Sequence, residues 1–140
     1  MNDIFRAIIE LLARQREPGD AYTLVEGRIW RNRAPEEESH HWPYITIAHV
    51  GGPIRRMFGP QSLEDGRFQF AVWDDYRNHD PTQVDTIYEA LVRNLEWQDL
   101  DSLDMGTPIV LRREGLPREV SDNAVISKSG DWLVERLMPR

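Results

Sequence analysis

The chain has 140 residues and no cysteine, with 29% charged and 40% apolar side chains and a formal net charge of −7. That balance belongs to an ordinary globule rather than a disordered chain, fits one domain spanning 1–140, and excludes both a disulfide framework and thiolate chemistry. The acidic excess lies in residues 61–106, where eleven acidic side chains face three basic ones, so the basic groove or stripe that a nucleic-acid binder needs is missing.

In chain order, the spacing of Ile4, Ile8, Leu11 and Leu12, widened by Phe5 and Ile9, predicts a first helix over 3–16. So wide an apolar face serves a core alone, or a core plus a neighbouring subunit, which makes Ile4, Phe5 and Ile9 interface candidates. Pro18-Gly19-Asp20 stops the helix. Tyr22–Val25 is a short apolar stretch, Gly27 breaks it, and Arg28-Ile29-Trp30 reads as a brief edge strand. Residues 32–42, with Glu36-Glu37-Glu38, have neither period and read as a loop. Tyr44–Val50 alternates as a strand, with Ile45 and Ile47 on one face.

The segment from Ile54 to Gly66 is long for a hairpin connection. It carries Arg55, Arg56, Met57 and Phe58, residue types enriched at protein interfaces, and reads as strand extensions or a projecting arm. Arg67–Asp74 is the central strand, burying Phe68, Phe70 and Val72. Asp80 as cap, Pro81 at the first helical position and the stripe Val84, Ile87, Tyr88, Leu91, Val92 and Leu95 predict a second helix. Residues 96–106 are acidic and irregular. Thr107–Arg112 is a strand, Glu114–Pro117 a turn, and two strands around Lys128–Asp131 a final hairpin. The fold class is α+β: a small mixed or antiparallel sheet on two helices, with a long loop or hairpin arm.

Chemistry-bearing patterns are weak. His40, His41 and His49 lack the spacing of a metal site. Asp74, Asp75 and Asp80 sit where a strand ends and a helix begins, which is turn chemistry. The serines have no nucleophile-elbow setting, and Gly51-Gly52 runs into Pro53 rather than a phosphate-binding loop. No catalytic residue, cofactor or metal is expected. No apolar run reaches the roughly 20 residues that cross a bilayer, and Met-Asn-Asp-Ile has no basic leader, so no membrane partner is expected either.

The order of features resembles the tail terminator, or tail completion, proteins of long-tailed phages and phage-derived gene transfer agents. An apolar helix (Ile4–Leu12) precedes Gly27-Arg28-Ile29-Trp30 and Ala34-Pro35. Trp42-Pro43-Tyr44 then opens a strand closing in Gly51-Gly52, and Phe68–Tyr76 ends in Trp, acids and Tyr before a helix. The likeness covers about residues 4–95, and the rest matches only in strand pattern.

The resemblance implies a non-enzymatic particle protein: a hexameric ring that ends tail-tube growth and joins the head connector or stopper, with DNA passing through unbound. Assembly in the host cytoplasm and residence at the tail end or neck follow from it. Under this expectation Glu96, Asp99, Asp101 and Asp104 are candidate channel-facing acids. The alternatives are a head-side neck or minor tail protein, and a small enzyme, which would need His49, Asp74 or Asp80 to converge in a pocket.

Overall fold

Alternation in the central strand sets the architecture. In the computed structural model, which describes residues 4–38, 41–51, 66–75, 82–100, 109–122 and 124–136, five strands form one mixed sheet with three helices. The helices are α1 (Ile4–Ala13), α2 (Ala21–Leu24) and α3 (Gln83–Leu95); the strands are β1 (Ile29–Arg31), β2 (Tyr44–Gly51), β3 (Arg67–Asp75), β4 (Ile109–Asp122) and β5 (Val125–Arg136). Strand order is β1-β2-β3-β5-β4, with β1 parallel to β2 and every other neighbouring pair antiparallel. The fold is α+β, and the segment of the expected arm lies outside the described residues.

The helices pack on one face of the sheet. There Ile45, Ile47, Phe68, Phe70, Val72, Trp132 and Val134 are buried, each side chain contributing roughly 1.5–3 kcal/mol by leaving water. Phe5 of α1 meets Phe68 edge-on at 5.3 Å, and Phe70 packs against Trp132 at the same separation. The stripe of α3 is buried at Val84, Ile87, Tyr88, Leu91 and Leu95. Lys128 Nζ donates to Asp85 Oδ1 at 2.8 Å and ties β5 to this helix.

Several sequence expectations need correction. Helix α1 ends at Ala13, short of residue 16. Tyr22–Leu24 belongs to a single helical turn. Helix α3 begins at Gln83 after Thr82, whose side chain makes no capping bond; Asp80 and Pro81, the expected cap and first position, lie outside the described residues.

The largest difference is at the C-terminal end. Lys128–Asp131 is no turn: β5 runs straight through it, pairing with β3 on one side and β4 on the other. Nor does Glu114–Pro117 reverse the chain. It is an irregularity within β4, where Gly115 takes φ +75° and the register slips between Glu114 and Arg118. The pairing of β4 with β5 closes instead at Asp122 and its partner Val125.

Gly130 explains the misreading. It faces α3 in mid-strand, and a Cβ there would stand 2.1 Å from Tyr88 Oη. Glycine inside a strand here marks a close approach rather than a turn. Tyr88 fills the space and its hydroxyl accepts a hydrogen bond from Trp132 Nε1 at 3.3 Å.

Candidate functional site

The sheet face opposite the described helices carries an aromatic cluster held by one arginine. Gly27, at φ +76°, turns the chain from α2 towards β1, which delivers the Arg28 guanidinium to the entry of β2. Its Nε donates to the Pro43 carbonyl and its Nη2 to the Trp42 carbonyl, each at 2.9 Å; Glu26 pairs with the third nitrogen at 3.1 Å. The Trp42-Pro43 peptide bond is cis.

Held this way, Trp42 stacks on Tyr44 at 5.1 Å, and Tyr44 on Trp73 of β3 at 6.4 Å. The sheet register places Tyr44 opposite Trp73. Trp73 Nε1 donates to Thr46 Oγ1 at 2.9 Å, which fixes the indole flat across β2. Burial pushes the Tyr44 phenol above its usual pKa. Trp30 stands opposite Thr46 on β1, its indole N–H buried with no acceptor among the described residues. Small side chains at Thr46, Ala71 and Ser129 form the neighbouring cross-strand row. Trp42 and Trp73 are half-buried, and Tyr44, Thr46 and Ala71 are buried, so the stack, the small residues and the pinned arginine form one packed aromatic cluster.

The expected site residues separate into several places. Ile4 and Phe5 are only 1% and 3% exposed, taken up by the chain's own core, and the Arg31 guanidinium lies 4.0 Å over the Phe5 ring. Ile9 is half-buried. Arg55, Arg56, Met57 and Phe58 lie outside the described residues, as do Asp101 and Asp104.

Glu96 does not stand alone. Its carboxylate accepts from Arg113 Nε at 3.0 Å, Nη2 at 3.1 Å and the backbone N–H at 3.2 Å. The Arg113 hydrogen bonds hold its pKa below the ordinary glutamate value. The residue fastens the end of α3 to β4, beside an isolated bridge to Leu111. Asp99 is exposed.

His49 and Asp74 do not converge. His49 pairs with Phe68 on β3, six residues before Asp74, a separation of roughly 20 Å along a strand. His41 is exposed; His40 and Asp80 lie outside the described residues. Among the described residues no group of three His, Asp or Glu side chains could hold a metal ion. An open depression of about 560 Å³ at the β1 edge is lined by Arg31, Asn32, Arg33, Ala34, Pro35 and Glu36, a mixture of both charges.

Sequence reasoning missed the Arg28 clamp, whose partners lie 14 and 15 residues away. It also missed Asn94, buried on α3. Asn94 Oδ1 accepts from the Ala21 N–H at 2.9 Å, and Nδ2 donates to Gln15 Oε1 at 3.0 Å and Asp20 Oδ1 at 3.1 Å. A polar residue within an apolar helical stripe was the available signal.

Compared with protein-family models and with curated proteins, the chain finds no match.

Proposed function

We propose that this chain is a structural subunit of a phage-type tail, assembling as a ring, hexameric by the resemblance, that caps the tail tube and receives the head connector. The observation that carries this reading is where the resembling segments meet. Gly27-Arg28-Ile29-Trp30, Trp42-Pro43-Tyr44 and the Trp73 end of β3 are far apart in sequence, yet Arg28 clamps Trp42-Pro43 and the three rings of Trp42, Tyr44 and Trp73 stack. The segments therefore form one unit, as parts of a shared design should. The half-buried rings of Trp42 and Trp73 are of a type enriched at protein interfaces.

A ring requires contacts between two different patches of each chain, with a rotation that closes. The acidic middle third suits a channel that DNA slides through without being gripped, since phosphate contacts would add salt-dependent binding along the bore. Of the four acids first considered for that lining, Glu96 is engaged with Arg113, and Asp99 is the exposed one among the described residues.

Mixing the purified chain with tail tubes tests the reading. Electron micrographs should show one ring of chains at one end of each tube, and free tubes should stop elongating. Tubes that go on growing, with no density at either end, would contradict it. Binding to the head connector alone would move the chain to the head side of the neck.

A further inference from the structure

The two edges of the sheet are finished differently. At the β1 edge two of the outward groups are used locally: the Ile29 N–H donates to the Gly27 carbonyl and the Arg33 N–H to the Arg31 carbonyl, both at 2.9 Å. At the other edge, residues 96–100 cover only the start of β4, where the Trp97 and Leu100 N–H groups donate to the Leu111 and Ile109 carbonyls. Beyond the irregularity none of the described residues pairs with the outer edge. Every residue from Arg118 to Ser121 is exposed, with Val120 at 56%, and Leu116 within the irregularity is 91% exposed.

The hydrogen-bonding phase of that stretch follows from the register. Ile109, Leu111 and Arg113 turn their backbone groups outward, so Val110, Arg112 and Glu114 are the residues bonded to Glu135, Leu133 and Asp131 of β5. The same alternate set of β5 continues as Ser129, Ser127 and Val125, opposite Arg118, Val120 and Asp122. The Val134 N–H bonding to the Gly66 carbonyl on the far side of β5 agrees with this phase. Glu119 and Ser121 therefore present the outward N–H and C=O groups. Pro117, next in the same phase, has no N–H and ends the usable edge.

We propose that β4 pairs with β4 of a second copy of this chain, antiparallel about a two-fold axis at Val120. Three observations select that occupant. Continuing the sheet head to tail would need the β1 edge, which is three residues long and has two of its outward groups in local hydrogen bonds. Centring on Val120 makes Glu119 and Ser121 of the second copy a hydrogen-bonded pair, as the phase requires, with four interchain backbone bonds in all. The sequence Arg118-Glu119-Val120-Ser121-Asp122 is also self-complementary in this register: arginine falls opposite aspartate at both ends and valine opposite valine at the centre.

The irregularity and Pro117 restrict the pairing to about five residues. This stops it from propagating, as guarded edges do. A two-fold contact cannot run around a ring, so it joins free chains, or one ring to another, and does not rest on the tail reading.

The absence of native cysteine makes the test direct. Opposed valines at a non-hydrogen-bonded pair have Cα atoms about 4.5 Å apart, within disulfide range, whereas the two copies of Glu119 stand roughly 7–8 Å apart on the diagonal. Oxidised V120C should give at least tenfold more covalent dimer than oxidised E119C. By sedimentation, the native chain should dimerise with rising concentration. S121P, which deletes an outward N–H and leaves the β4–β5 ladder whole, should stay monomeric with an unchanged circular dichroism spectrum. Equal cross-linking of V120C and E119C, or a native chain that remains monomeric, would overturn the proposal. A ring that forms on tubes while V120C fails to cross-link would overturn the pairing and leave the tail function standing.

Discussion

Asn94 lies where α3 meets the end of α1 and the start of α2. It is 3% exposed, and its amide serves Ala21, Gln15 and Asp20 at once. An isosteric Asn94→Leu change should cost about 2–3 kcal/mol, because the buried Ala21 N–H and the Gln15 amide lose their partner. Chemical denaturation at neutral pH measures that loss. Its pH dependence gives a second reading. The Asp20 carboxyl is held below its ordinary value of 3.8, first by the Asn94 hydrogen bond. Its contribution to stability is therefore full above that value and lost as the pH falls through the lower folded one. The variant, without that bond, should show a shallower decline than the native chain below about pH 4. Equal acid limbs would mean Asn94 does not act through Asp20. Counting apolar positions cannot find such a residue, since the count skips it.

At the scale of elements, the sequence was legible wherever periodicity is strong. The alternation of Arg67–Asp75 and the stripe of α3 both appear in the structure with the expected faces buried. It was misleading where glycine and proline stand inside a strand. Gly115 and Pro117 mark a slip in β4, and Gly130 makes room for Tyr88; local sequence gives all three the look of turns. Gly130→Ala should cost about 1–3 kcal/mol by crowding a stiff, buried ring. Adding Tyr88→Phe, which removes the oxygen nearest the new methyl, should recover part of that loss. A thermodynamic cycle of the two substitutions checks it, and strictly additive costs would place the strain elsewhere. The Arg28 clamp was illegible for another reason: two carbonyls 14 and 15 residues away leave no local trace.

For the whole molecule, one sheet divides the work. The helix side holds the core, with Trp132, Phe68 and Phe70 at its centre. The opposite side carries the Trp42–Tyr44–Trp73 stack, with Tyr44 buried, and Arg118–Ser121 of β4 are exposed at the margin. The proposed tail function asks this single sheet to keep its core fixed while its surface meets other chains. The measurement that tests this account most directly is an image of particles from a producer that lacks this chain and is otherwise intact. Full heads beside headless tails of uncontrolled, excessive length are the predicted result. Tails of normal length joined to heads would contradict it.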